Sequence, residues 1–198
     1  MSSEPSRSSG LDPVAAALRE ASVAVARAVL DLSTSNPVIL LDGRSGAGKS
    51  SLARDIVARW PLRGRVQLVG LDAIYPGWDG LRAGVEAARE QILVPHGRGL
   101  IGIWQRWDWD ASAYAEAHAV DPSLPLIVEG SGILTPQTAG LADVRIWLEA
   151  PASSRRRRAL ERDGDTYRPH WDRWAEQEDR HIARDAPHRH ATQLFAIP

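Results

Sequence analysis

The chain has no cysteine. That excludes disulfides and thiolate metal sites, and it suits a reducing, cytoplasmic setting. Long apolar runs are missing too: none approaches the roughly 20 residues needed to cross a bilayer, so no membrane partner is expected. Neither sign of charge is in excess. Lys+Arg number 24 against 25 Asp+Glu, a formal net charge of −1, so no global field recruits nucleic acid or an anionic surface. Phenylalanine is nearly absent, with one residue against eight tryptophans, so tryptophan must do most of the aromatic work. Residues 1–11, MSSEPSRSSGL, lack the apolar stretch of a signal peptide and read as a flexible tail. The remaining residues, 12–198, are enough for one substantial core and are expected to form a single domain.

What is present alternates between two periods. Asp12 to Leu32 is alanine-rich with helical spacing, Asp12 being placed to cap and Pro13 to take the first helical position. PVILLD, Pro37 to Asp42, is apolar and β-branched without alternation, as in a strand covered on both faces. A helix is expected from Ser50 to Trp60, then a strand from Arg65 to Asp72 and a helix from Asp79 that ends near Pro95. Strands follow at Leu124 to Gly130 and Asp143 to Ala150, helices at Ala152 to Arg162 and Pro169 to Arg184, and a last strand in ATQLFAIP. Such alternation predicts an α/β fold: about five parallel strands with helices on both faces.

Between the first of these strands and its helix lies GRSGAGKSS. Gly43, Gly48, Lys49 and Ser50 fit G-x-x-x-x-G-K-[ST], with Arg44, Ser45, Gly46 and Ala47 between them. Small residues let successive N–H groups converge on one anion, and the following helix adds the positive end of its dipole. Lys49 is expected on the β- and γ-phosphates, Ser50 on Mg²⁺, and Ser51 at the helix start. The ligand expected is therefore a polyphosphate, ATP as its Mg²⁺ complex.

Ligands of open α/β sheets sit beyond the carboxyl ends of the strands, so the other strand ends matter. The second strand delivers Asp72, a carboxylate able to take a proton from an attacking hydroxyl, although aspartate also suits a cap or turn. Glu129 ends the third strand, where it could serve the metal, the acceptor or the turn. In SSRRRRALERDG, Arg155, Arg158 and Arg162 share a helix face and could close over phosphates as a lid, at about residues 152–168; a solvated basic face is the plain alternative.

Taken together, LDGRSGAGKSSLA, LDAIYPGWDGL, LIVEG and RRRRALERDG resemble the uridine kinase-like branch of the nucleoside and nucleotide kinases, over about Val38 to Asp185. The resemblance implies a P-loop three-layer sandwich with an arginine-rich lid. It implies Asp72 as catalytic base, Tyr75 at the acceptor, and Arg158, Arg162 and Asp163 in the lid. Ala73 and Ile74 depart from the family's usual acid and phenylalanine.

GIWQRWDWDASAY, Gly102 to Tyr114, falls where such folds carry an acceptor-binding insert. Trp104, Trp107 and Trp109 offer flat faces for a ring, and Arg106, Asp108 and Asp110 offer charges for its polar edge; Trp104, Trp107, Arg106 and Asp108 are the contacts expected first. Trp171 and Trp174 are expected to pack their helix on the sheet, and the histidines near the C-terminus lack acids at metal-ligand spacing. The function expected is ATP-dependent phosphorylation of a small molecule, nucleoside-like by resemblance, by a monomer or homodimer. A regulatory ATPase acting on a protein partner, or a kinase of a sugar or antibiotic, is the alternative. No N-K-x-D element for reading guanine occurs.

Overall fold

The computed structural model describes residues 12–198, so the expected N-terminal tail lies outside the described residues. Helix α1 (Pro13–Leu30) starts as its sequence predicts: the Asp12 carboxylate accepts the Val14 N–H at 3.0 Å, with Pro13 in the first turn. Strand β1 (Val38–Gly43) is buried along its whole length and runs into the glycine loop and α2 (Lys49–Ala58). Strand β2 is shorter than expected, Gln67–Gly70, because the chain then turns through a 3₁₀ turn, Leu71–Ala73, that carries Asp72.

Helix α3 (Leu81–Ala88) continues through a five-residue π turn, Arg89–Leu93, into α4 (Val94–Gly97). The helical path thus passes Pro95 instead of ending there. The wider turn accommodates a residue that cannot donate to the preceding turn and whose ring crowds it.

The expected insert is a two-stranded antiparallel hairpin, β3 (Gly102–Asp108) and β4 (Ala113–Val120), with a bulge between Gln105 and Trp107. Asp108 builds its turn by accepting the N–H groups of Asp110 (3.1 Å) and Ala111 (2.9 Å). Strand β5 (Leu126–Glu129), short helix α5 (Pro136–Ala139) and β6 (Val144–Glu149) follow. Helix α6 (Ala152–Tyr167) is broken at Gly164, whose φ of 58° and ψ of −135° suit only a residue without a Cβ. A 3₁₀ turn, Arg168–His170, leads to α7 (Trp171–Asp185), and β7 (Gln193–Ala196) is the last strand.

The main sheet has five parallel strands in the order β2-β5-β1-β6-β7. Alternate side chains of β1 serve two cores. Ile39 and Leu41 pack with Val25 and Val29 of α1 and with Leu52 and Ile56 of α2. Val38 and Leu40 belong to the opposite core, with Leu81 and Val85 of α3, Ala159 of α6 and Trp174 of α7. Burying each such side chain contributes on the order of 2 kcal/mol, so both faces of the sheet hold it in place. Since every strand is parallel, the ends of β1, β2 and β5 share one rim. Leu41 and Gly70 both pair with Glu129, so Asp72 starts two residues beyond the same level.

Candidate functional site

The glycine loop is built for close approach. Gly43 has φ +149° and lies against the Leu148 carbonyl, where a Cβ would come within 2.6 Å; Gly46 has φ +77° and packs on the Arg155 backbone. Gly48 precedes α2 in a left-handed conformation, and no side chain caps the helix, which leaves its first-turn N–H groups to a ligand. Ala47 N–H is held by Arg44 C=O at 3.0 Å.

Around this loop lies a cavity of about 310 Å³. Ser45, Gly46, Gly48, Lys49, Ser50 and Ser51 form its floor, and Asp72, Glu129, Arg158 and Arg162 face it. Residues from four separate segments thereby converge, including all four for which catalytic roles are expected. Gly43, Arg44 and Ala47 lie behind the floor as its frame. Lys49 Nζ donates to Arg44 C=O at 3.2 Å and to Ser131 Oγ at 3.1 Å. Burial raises the Glu129 carboxyl above its usual range, with nearby Lys49 pulling against that and Asp72 adding to it.

The arginines on α6 divide their work. Arg155 is buried and donates to the carbonyls of Ala150 (3.1 Å) and Ser45 (3.3 Å). Arg158 donates to Gly46 C=O (2.8 Å) and Pro198 C=O (2.5 Å). Helix α6 therefore clamps the carbonyls of Ser45 and Gly46 in the loop. Arg158 lines the cavity, and its Nη2 is buried without a partner, an orphan donor of the kind that a phosphate oxygen satisfies. Arg162 is paired with Asp163 at 2.6 Å, and that bond holds its guanidinium above the ordinary range.

The same residues close the question of fit. An orphan guanidinium nitrogen, uncapped helix N–H groups and a lysine facing one cavity suit the phosphates of a nucleotide. Ser50 and Glu129 add the hard oxygen donors that Mg²⁺ takes.

A second cavity of about 540 Å³ adjoins the first and shares Ser45, Ser50, Arg54, Asp72 and Arg162 with it. Its walls are aromatic: Tyr75, Trp78, Trp109, Tyr167 and Trp174. Trp78 stacks on His170 (centroids 4.2 Å apart) and on Tyr167 (5.5 Å), and Trp174 meets Tyr75 edge-on at 4.9 Å. Buried Tyr75 donates to Ser131 C=O at 2.7 Å, and burial pushes its phenol well up, keeping it neutral. Trp109 Nε1 donates to the Asp72 carbonyl at 2.8 Å, tying the hairpin tip to the turn that carries Asp72. Two polar atoms in these walls have no partner, Trp174 Nε1 and the Tyr167 hydroxyl; Ser45 lies near the hydroxyl without meeting hydrogen-bond geometry.

Of the insert residues expected at the acceptor, Trp104, Arg106, Trp107 and Asp108 line neither cavity. Trp104 is buried and stacked on His118. Arg106 pairs with Glu116 (2.7 Å) and Asp108 (3.2 Å), while Asp108 shapes the turn. Trp109, one position further on, is the insert residue that reaches the aromatic cavity. Trp174 joins the core as expected and lines the cavity as well.

Several residues that sequence reasoning passed over hold the site together. Asp42, at the end of β1, accepts the N–H groups of Gly132 and Leu134, each at 2.8 Å. It also faces His181 Nε2 at 3.2 Å, whose Nδ1 meets Asp185 at 2.8 Å. Glu178 accepts the Ser45 N–H at 2.6 Å. Trp174, Glu178, His181 and Asp185 recur at helical spacing on the buried face of α7, and that polar stripe on an inward face was the available signal. Among the described residues no cluster of three or more His, Asp or Glu could hold a metal ion, and no helix is long and apolar enough to cross a membrane.

No family model and no curated protein matches the sequence. Solved structures do match. A possible uridine kinase from Bacillus stearothermophilus superposes with a TM-score of 0.67 at 17% identity, covering 90% of this chain and 98% of that one. A protein provisionally described as a fructose transport system kinase, from a Silicibacter species, superposes with a TM-score of 0.53 at 18% identity, covering 93% and 99%. The fold of this chain is that of the P-loop, uridine kinase-like kinases.

Proposed function

We propose that this chain is an ATP-dependent kinase of a small molecule. One observation carries the reading: the cavity over the glycine loop and the aromatic cavity are contiguous, and Asp72 and Arg162 line both. A donor phosphate and an acceptor hydroxyl bound in the two cavities would meet beside a carboxylate and a guanidinium.

In this reading the loop N–H groups, Lys49 and Arg158 bind the triphosphate. Ser50 and Glu129 supply the oxygen donors that would hold Mg²⁺, whose role when bound is to neutralise phosphate charge. The Asp72 carboxylate takes the proton of the acceptor hydroxyl as its oxygen bonds to the γ-phosphorus, the bridging P–O bond breaks, and ADP departs. Arg162 neutralises charge on the moving group, and the α6 lid excludes water. The domain is residues 12–198 taken as one unit, with the lid at about 152–168.

The acceptor carries a flat or ring-shaped uncharged part, since five aromatic side chains bound its cavity and the charged side chains there balance: Arg54 and Arg162 against Asp72 and Asp163. A nucleoside-like molecule fits these walls, and the resemblance favours it. The built second cavity weighs against a regulatory ATPase, which needs no acceptor pocket. ATP consumption measured across nucleosides, nucleoside monophosphates, sugars and aminoglycosides tests the proposal. Acceptor-dependent ADP release with one class is expected; ADP release equal with and without every acceptor sinks the kinase reading.

A further inference from the structure

Lys49 is the chain's single lysine, and its amine is held by two acceptors of the chain itself, the Arg44 carbonyl and the Ser131 hydroxyl. We infer that Glu178 is a positioning residue for Lys49, acting through the hydroxyl of Ser131. The geometry is independent of the kinase reading, while its catalytic consequence rests on that reading.

Lys49 Nζ donates to Ser131 Oγ at 3.1 Å, so Ser131 must present a lone pair there. The Ser131 hydroxyl has one proton and two acceptors within reach: Glu178 Oε1 at 2.9 Å and the Gly43 carbonyl at 3.1 Å. A carboxylate in a buried site is the stronger acceptor, so the proton goes to Glu178 and the lone pairs face the amine. A chain results, from ammonium to hydroxyl to carboxylate, in which each link fixes the next. Glu178 Oε1 also accepts the Ser45 N–H at 2.6 Å, so the carboxylate that orients Lys49 also pins the glycine loop.

Glu178 is 2% exposed, and its Oε2 has no hydrogen-bond partner; the nearest cation is Arg44 Nη1 at 4.0 Å. A side chain needed only for packing there would be apolar, because burying a half-satisfied carboxylate works against folding. Its place is set from both sides along α7. Trp174, one turn earlier, is wedged against Tyr75, and His181, one turn later, is held by Asp42. The helix that walls the acceptor cavity thus also aims the donor-side lysine before any nucleotide arrives, which lowers the reorganisation needed at the reaction.

The single lysine makes the test direct. Acylation of Lys49 by an N-hydroxysuccinimide acetyl ester, followed by peptide mass spectrometry on the nucleotide-free full chain, reads how firmly the amine is held. Glu178→Gln and Ser131→Ala should each acylate Lys49 about fivefold faster than wild type, the fold-change of one lost hydrogen bond. The double variant should match either single one, because both cut the same chain. In turnover, kcat should fall about ten- to hundredfold with the acceptor KM unchanged, and Glu178→Asp should recover part of it. Wild-type acylation rates in both single variants would overturn the inference. Should Glu178→Gln fail to fold, Ser131→Ala carries the test alone. Absence of phosphoryl transfer in wild type would strike the kinase reading and leave the acylation result to decide this one.

Discussion

Asp72 shows how much one residue's meaning depends on where its strand ends. It is exposed, it sits in a 3₁₀ turn where an aspartate could merely cap, and yet it lines both cavities. Asp72→Ala is expected to lower kcat by about 10²- to 10⁴-fold, the usual worth of a general base, with Mg²⁺–nucleotide affinity unchanged by calorimetry. In the proposed reading, Trp174 and Tyr167 wall the acceptor cavity. Their orphan N–H and O–H groups lie in the aromatic walls, so Trp174→Phe or Tyr167→Phe should raise the acceptor KM about fivefold, one hydrogen bond each, and leave the KM for ATP as it was. The glycine loop was legible because local spacing and local backbone freedom define it. The walls of the aromatic cavity were not fully legible, because Trp78, Trp109, Tyr167 and Trp174 are brought together from three distant segments. Within the insert, Trp109 sits at the hairpin turn, where its indole N–H meets the Asp72 carbonyl, a partner 37 positions away that no local spacing reveals.

At the scale of elements, α7 and α6 carry separable duties. His181 on α7 has a carboxylate at each ring nitrogen, and the imidazolium is the form that satisfies both. Burial works against charging it, but Asp42 and Asp185 outweigh burial and the net shift is upward. A raised value means that the stabilisation is complete below the ordinary histidine range, about pH 6.5, and fades as pH climbs through the raised value. His181→Gln should therefore cost most near pH 6, about 3 kcal/mol, and distinctly less near pH 9, as urea unfolding midpoints at the two pH values will show. On α6, the break at Gly164 turns the chain between Arg162, which lines both cavities, and Tyr167, which lines the aromatic one. No atom lies within 4 Å of a Cβ built there, so the objection to alanine is conformational only. Gly164→Ala is expected to cost about 1–3 kcal/mol at that backbone and to raise the acceptor KM by displacing Tyr167, with nucleotide binding retained; titration of each ligand separately checks it.

For the whole molecule, the parallel sheet gathers at one rim the loop after β1, the turn after β2, the end of β5 and helix α6 after β6, which together line the cavity proposed for the donor. Ligand binding to the folded state must stabilise it. Mg²⁺–ATP at a hundred times its dissociation constant should add about 2.7 kcal/mol and raise the melting temperature by roughly 5–10 °C. Lys49→Met should abolish most of that shift without lowering the melting temperature of the ligand-free protein by more than a few degrees; an undiminished shift would remove Lys49 from the donor site.

By itself the sequence determined the alternation of strands and helices, the two-faced burial of β1 and the anion-binding loop, since each is written in neighbours a few residues apart and obeys a fixed period. Tertiary structure alone decided which tryptophans wall the aromatic cavity, that α6 clamps the loop with Arg155 and Arg158, and that Glu178 reaches Ser45 across 133 positions of chain. Those pairings are set by how whole elements pack, and no local period encodes which side chain of one helix meets which loop of a distant strand.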